Sequence, residues 1–337
     1  MIYPKFLKKN SSIGIPAPSD GASNLQYVNR YKNAKLNLEN LGYKLQLSNN
    51  LFSSKMGRSS STQDRAEELN KMFESNDVDA IICAAGGEFL VEILPYIDFE
   101  KIAQNPKWVE GFSDPTGILF PITTKYDIST IYGNNFGTFG MLEYDKSIID
   151  NLEILKGNII TEKSYELYED ERIKRQTGLE GYNLTKEVKW KTIGNKNVKV
   201  RGRIIAGCLD IIMELSGTKY DGTKSFIDRY KSDGIIWCFD NCELSKEELI
   251  RSLWKLNEFG YFTNTNAVIF GRNGTDNSYL DYTMEQTIKD SVLAKYNIPV
   301  IFDADISHKG PSMTIINGAI ATVLVNNGKG QISFELK

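Results

Sequence analysis

The chain has 337 residues, enough for about two domains on a prior of ~150 residues each and for sizeable cores without disulfide or metal staples. Hydrophobic residues make up 41% and charged residues 25%, with a formal net charge of -3 and no basic block, which removes the electrostatic case for nucleic acid or an anionic membrane. No stretch approaches the ~20 apolar residues that span a bilayer, and Met1-Ile2-Tyr3-Pro4-Lys5 lacks the apolar run of a secretory signal, so a cytoplasmic protein is expected.

Ser12 to Pro16 reads as a short strand, followed by the turn Ala17-Pro18-Ser19-Asp20-Gly21. Leu25 to Leu41 carries apolar residues at helical spacing, and Gly42 stops it. Tyr43 to Leu47 is a second strand. Asp64 to Phe73 is an amphipathic helix with Ala66, Leu69, Met72 and Phe73 on its apolar face. Asp79 to Ala84 is a buried strand leading to Gly86-Gly87, and Phe89 to Leu94 starts another helix. Trp108 to Phe112 and Ile128 to Tyr132 are further strands. This alternation is the signature of a parallel sheet with helices on its faces, whose ligands gather beyond the carboxyl ends of the strands. Gly86-Gly87 and Ser113 both fall at such ends.

The helix Ile148 to Leu155 closes a first α/β domain, residues 1–160. Residues 161–186 are dense in charge and read as a linker or surface excursion. Residues 187–337 read as a second, mixed and β-rich domain. Its strands include Val198 to Ile205, Gly234 to Phe239, Ala267 to Phe270 and Pro299 to Phe302, and its close alternates through Met313 to Ile316, Ala321 to Val325 and Gln331 to Leu336. Ser245, with Glu248 three residues on, caps a helix that runs to Phe259. Cys83, Cys208, Cys238 and Cys242 are scattered through apolar segments, which suits reduced core thiols. The spacing of Cys238 and Cys242 matches no common zinc pattern, so neither a metal nor another cofactor is expected.

Val109-Glu110-Gly111-Phe112-Ser113-Asp114-Pro115-Thr116 is the stretch that suggests chemistry. Read alone it is a strand-to-helix turn with Ser113 as helix cap. Serine becomes a nucleophile only beside a base, and His308 is the chain's single imidazole. It lies in a Ser-His-Lys-Gly-Pro loop after a strand. An orienting carboxylate is also needed, and Asp240, Glu243, Asp303 and Asp305 are rivals that spacing cannot separate. Oxyanion donors are available from the backbone N–H groups of Asp114 and of Gly86 or Gly87. The order serine, acid, histidine is present, but Pro115 stands where the Gly-x-Ser-x-Gly elbow has its second glycine, so an α/β-hydrolase fold is not supported.

With these residues collected, the chain resembles the LD-carboxypeptidase family of serine peptidases, which also contains the microcin-immunity peptidases. Ile13-Gly14-Ile15-Pro16-Ala17-Pro18-Ser19 resembles the family's opening strand and turn. Arg65 to Asn70, Asp79-Ala80-Ile81 and Gly86-Gly87 resemble its next block. Gly111-Phe112-Ser113-Asp114-Pro115-Thr116 is the most specific match, Trp237 to Leu244 resembles the strand carrying the catalytic acid, and Asp303 to Pro311 resembles the histidine loop. The resemblance implies Ser113 as nucleophile, His308 as general base, Asp240 as the acid, and oxyanion donors at Gly86 or Gly87 and Asp114. It also implies a flavodoxin-like amino-terminal domain, a β-rich carboxyl-terminal domain, an active site between them and a homodimer. The expected reaction is release of a terminal D-amino acid from an L,D bond in a murein peptide. An aminoacyl-nucleotide amide is the alternative substrate, and a catalytically weak peptide-binding homologue is a further alternative. Glu88, Asn134 and Trp190 are candidate substrate contacts, with Trp190 a possible stacking partner for a base. Two positions depart from the family's pattern: most members have glutamate where Asp240 stands, and proline commonly follows the glycine in Tyr132-Gly133-Asn134-Asn135.

Overall fold

In the computed structural model, which describes residues 1–337, strand and helix alternate through the first half as their periodicity predicts. The elements are β1 (Ser12–Ile15), α1 (Leu25–Asn40), β2 (Lys44–Leu47), α2 (Thr62–Glu74), β3 (Ala80–Ile82), α3 (Phe99–Gln104), β4 (Trp108–Gly111), α4 (Thr116–Tyr126), β5 (Ile131–Tyr132) and α5 (Lys146–Leu155). The N-cap side chains of Asn24 and Ser61 start α1 and α2. Phe89 to Leu94, expected as the start of a helix, forms part of a 3-10 turn over Leu90–Tyr96 with Pro95 inside it. The five strands lie parallel in the order β5-β4-β3-β1-β2, the flavodoxin-like arrangement. β3 and β4 are buried throughout; β3 is an unbroken apolar run, whereas β4 carries the buried Glu110, whose carboxylate accepts from the Asn134 N–H.

The second half begins with four short strands, β6 (Glu162–Lys163), β7 (Leu167–Tyr168), β8 (Lys186–Glu187) and β9 (Lys191–Thr192). It continues through β10 (Val198–Cys208), α6 (Leu209–Leu215), α7 (Thr223–Arg229), β11 (Ile235–Asp240), α8 (Lys246–Glu258), β12 (Thr265–Gly271), α9 (Met284–Asp290) and β13 (Val300–Ala304). It closes with β14 (Ile315–Ile316), β15 (Ile320–Asn326) and β16 (Lys329–Glu335). An eight-stranded sheet runs β6-β16-β15-β10-β11-β12-β13-β9, parallel from β10 to β13 and antiparallel outside them. The capping box predicted for α8, Ser245 with Glu248, is present.

The two sheets are joined. β14 crosses to the first sheet and pairs antiparallel with β5, Ile315 opposite Tyr132. Fully buried Asn317 staples the seam: its side chain bonds both backbone polar groups of Ala206 (2.7 and 3.2 Å) and the Thr130 hydroxyl (3.2 Å). The Thr116 hydroxyl accepts from the Cys208 N–H at 2.9 Å. A single hydrophobic cluster runs through both sheets, so the halves are one packed body. No helix is long and apolar enough to cross a membrane.

Candidate active site

Ser113 stands between the end of β4 and the start of α4 with φ of +69°. That left-handed region costs a non-glycine residue roughly 1–3 kcal/mol and persists where the surroundings over-determine it. Here the Asn135 side chain accepts from the Phe112 N–H at 2.9 Å and donates to the Phe112 carbonyl at 3.0 Å. The Ser113 N–H itself donates to the Tyr132 phenolic oxygen at 3.3 Å. The serine is not the helix cap that the local sequence suggests. Its carbonyl takes the Thr116 N–H at 2.9 Å, while α4 starts without a side-chain cap and the hydroxyl is free to point elsewhere.

That hydroxyl points to His308, whose Nε2 lies 2.9 Å from Ser113 Oγ. The other ring nitrogen, Nδ1, lies 2.9 Å from Asp240 Oδ2. The Nδ1–H direction falls off the line to that oxygen, so by angle the nitrogen has no acceptor although by distance the pair is in contact. A small ring rotation restores the line, and such bonds commonly tighten when substrate binds. Asp240 is fully buried at the end of β11, and Oδ2 also accepts from the Tyr132 hydroxyl at 2.7 Å. Tyr132 therefore links the carboxylate to the serine backbone. The Phe112 ring packs against both His308 and Tyr132, with centroids 4.8 and 4.9 Å away.

The electrostatics follow from this burial. Desolvation pushes the His308 imidazole down, but the charge and hydrogen bonding of Asp240, aided by Cys242, reverse it, and the net shift is upward. Burial and the Asp240 charge push the Tyr132 phenol well above its ordinary value, which keeps it a donor. The other acids are engaged elsewhere: Asp303 pairs with Lys191 at 2.8 Å, Asp305 is held by Arg272, and Glu243 is exposed. Asp240 is the carboxylate that reaches the imidazole.

Gly86 lies against the serine. A Cβ there would sit 3.1 Å from Ser113 Cβ and 3.3 Å from Oγ, an approach that suits glycine. Gly87 has φ of +152°, and its Cβ would meet Ser19 Oγ at 2.3 Å. The N–H groups of Gly86, Gly87 and Asp114 donate to no backbone acceptor. The buried Asp114 carboxylate accepts from the Ser19 hydroxyl and from the Leu90 N–H (3.0 Å), which ties together the loops after β1, β3 and β4. Buried Arg65 clamps the same loops through the Pro18 and Phe89 carbonyls (3.0 and 3.1 Å) and Glu92 (2.8 Å).

The site opens into a cleft of about 470 Å³ lined by Asp170, Arg172, Cys242, Glu243, His308 and Lys309 among others. Exposed Glu88 lies close enough to Glu243 to be the leading cause of that residue's raised pKa, followed by burial and Asp210. On the cationic side, Arg172 donates to the His308 carbonyl at 3.3 Å and Lys309 to Asp170 at 2.9 Å. Asn134 is less open: its N–H donates to Glu110 at 2.6 Å, and its side-chain nitrogen is buried without a partner. Trp190 corrects an expectation. It is 1% exposed and donates its indole N–H to Asp305 at 2.8 Å, so neither ring face is available to stack on a base. No group of three or more histidine, cysteine, aspartate or glutamate side chains is arranged to hold a metal ion. Sequence reasoning missed Tyr132, Asn135 and Ser19. Each lies just after or at the end of a first-sheet strand, the one signal that could have flagged them.

Residues 13–133 match the LD-carboxypeptidase N-terminal domain and residues 201–323 the LD-carboxypeptidase C-terminal domain. The chain belongs to the LD-carboxypeptidase family. A Vibrio cholerae protein provisionally named a carboxypeptidase is 29% identical, over 97% of this chain and 96% of its own. The microcin C7 self-immunity protein MccF of Escherichia coli is 26% identical over 80% of this chain and 78% of its own. A solved structure of MccF covers 100% of both chains with a TM-score of 0.82 at 23% identity, a likeness of fold. A probable murein peptide carboxypeptidase of Bacillus subtilis is 24% identical over 95% of this chain and 91% of its own. Membership makes the chain a carboxypeptidase-like hydrolase.

Proposed function

We propose that this hydrolase is a serine carboxypeptidase that cuts an L,D amide bond and releases a terminal D-amino acid from murein peptides. The observation that carries the reading is the line Ser113 Oγ, His308 Nε2, His308 Nδ1, Asp240 Oδ2, with 2.9 Å at each end. Ser113 attacks the amide carbonyl while His308 takes its proton, and buried Asp240 stabilises the imidazolium. The unused N–H groups of Asp114 and of Gly86 or Gly87 receive the developing oxyanion; one such donor is worth roughly 10²–10³ in turnover. His308 then passes the proton to the leaving amine, and water, activated by the same imidazole, hydrolyses the acyl-enzyme. No step calls for a cofactor. The likeness to a protein named as a murein peptide carboxypeptidase supports the substrate class.

A second reading, cleavage of an aminoacyl-nucleotide amide, is supported by the likeness to MccF. Assaying a murein tetrapeptide beside an aminoacyl sulfamoyl adenosine amide separates the two. In both, Ser113→Ala abolishes turnover and leaves the melting temperature within a few degrees of wild type. Cleavage by that variant at an undiminished rate rejects the mechanism. A peptide-binding homologue without chemistry is tested by a fluorophosphonate probe, which is expected to label Ser113.

A further inference from the structure

Arg272 follows the last residue of β12 and has no place in the triad. It is 4% exposed, and its guanidinium carries only donors, which burial obliges to find acceptors. The acceptors it finds lie in one short stretch, the loop from Asp305 to Pro311 with His308 at its middle. Nη2 donates to the Lys309 carbonyl at 2.7 Å and to the Pro311 carbonyl at 2.9 Å, and Nε to the Lys309 carbonyl at 3.3 Å. Nη1 donates to Asp305 Oδ1, and the other oxygen of that buried carboxylate accepts from the Trp190 indole at 2.8 Å and the Tyr165 N–H at 3.3 Å. The backbone of the strand end grips the same loop. The Ser307 hydroxyl donates to the Arg272 carbonyl at 2.6 Å and accepts from the Lys309 N–H at 2.9 Å. A Cβ on Gly271 would meet the Ile306 carbonyl oxygen at 1.7 Å, so glycine lets β12 lie against the loop. The Tyr168 ring covers the guanidinium, with Cζ 4.6 Å from the ring centre.

We infer that Arg272 is a positioning residue, which holds the Asp305–Pro311 loop so that His308 keeps both Ser113 and Asp240 in reach. A planar fork satisfies two carbonyls and a carboxylate together, which the point charge of lysine cannot do. β12 is the neighbour of β11, so the strand ends bearing Asp240 and Arg272 meet the histidine loop side by side. The imidazole lies 2.9 Å from each of its partners, and a displacement of ~1 Å can cost ~10²-fold in rate. The inference rests on the peptidase reading only for that rate, because the place of the imidazole is read without turnover.

The test uses full-length protein carrying isotope-labelled histidine. The chain has one histidine, so a single imidazole signal in the magnetic resonance spectrum reports on His308, and its titration midpoint reads the contact with Asp240. Arg272→Lys keeps the charge opposite Asp305 and loses the fork. Its midpoint is expected to fall by about one pH unit toward the ordinary imidazole value, and its kcat by roughly 10²-fold with KM unchanged. Tyr168→Leu, at a half-buried ring, removes the face that covers the guanidinium and is expected to move the midpoint in the same sense by less. Arg203→Lys is the control. It dismantles another buried arginine fork, on Asp233 and the Gly318 carbonyl, at the opposite end of the β10–β11 pair from Asp240. It is expected to lower the melting temperature as Arg272→Lys does, while leaving the imidazole signal and kcat unchanged. A midpoint unmoved in Arg272→Lys, or in Tyr168→Leu where Arg272→Lys does not fold, overturns the inference, as does an equal shift in Arg203→Lys. A shifted midpoint in a chain that cleaves neither substrate counts against the proposed function instead.

Discussion

Asp240→Asn is the most searching perturbation of the site. The side chain is fully buried, so asparagine fits the space while removing the charge that holds the His308 imidazole above its desolvated state. The amide can turn its NH2 toward Nδ1, which selects the tautomer with hydrogen on Nε2 and leaves Ser113 without an acceptor for its proton. Loss of the orienting carboxylate in a triad costs about 10⁴-fold in turnover, near 5 kcal/mol of transition-state stabilisation. The assay is release of D-amino acid under saturating substrate, with thermal unfolding as a control on the fold. A loss smaller than about tenfold in a folded variant refutes Asp240 as the orienting acid. Asp240→Glu, which installs the residue that the family resemblance leads one to expect there, is not expected to improve the enzyme. Its added methylene has to fit between Tyr132 and His308, already 2.7 and 2.9 Å from Oδ2, and overpacking there costs about 1–3 kcal/mol.

The remaining predictions touch other parts of the same argument. Because folding raises the His308 pKa, the neutral base forms late, and kcat/KM should climb with pH through a midpoint above 6.5; in Asp240→Asn burial acts with little to oppose it and the midpoint falls. By linkage, that group's contribution to stability is present below the unfolded pKa and is lost as pH rises through the folded one, which pH-dependent urea unfolding will read. Tyr132→Phe removes the donor to Asp240 and the acceptor for the Ser113 N–H, and should lower stability by about 1–3 kcal/mol and turnover by roughly tenfold. Trp190→Phe strips a hydrogen bond from buried Asp305 and should cost about 2–4 kcal/mol in stability with KM unchanged; a raised KM for a nucleotide substrate contradicts its placement in the core.

The first sheet was legible because its strands are short apolar runs punctuated by glycine and proline, and the helices between them keep a 3.6-residue period. Ser113 and His308 could be named as a pair because there is one imidazole to choose. The acid could not be chosen from spacing. Asp240, Asp303 and Asp305 all follow or end apolar strands, and the strand register that sets Asp240 beside Cys208 of β10 leaves no trace in the local sequence. The charged stretch 161–186 also misled, since charge density suggests a solvated excursion. Part of it is tied down by polar groups instead. Buried Arg30 of α1 donates to the Gly178 and Glu180 carbonyls at 2.9 and 2.7 Å, and the Glu169 N–H donates to the Gly310 carbonyl at 2.8 Å. Trp190 was mistaken for a site residue because large aromatics occur in both settings, and only burial tells them apart.

The seam itself explains how a serine and a histidine 195 residues apart keep a hydrogen-bond distance. The chain leaves the His308 loop and at Ile315–Ile316 becomes a strand of the other sheet, beside the Tyr132 that contacts both Asp240 and Ser113. Backbone pairing of β14 with β5 therefore positions the histidine loop relative to the serine turn, and Asn317 locks the next residues to β10. Were the two halves joined only by side-chain packing, small relative shifts would carry the imidazole away from the hydroxyl, and a misplacement of ~1 Å can cost ~10²-fold in rate. A strand shared across the seam resists such shifts because moving it breaks ladder hydrogen bonds in a dry interior, where each unpaired group costs about 1–3 kcal/mol.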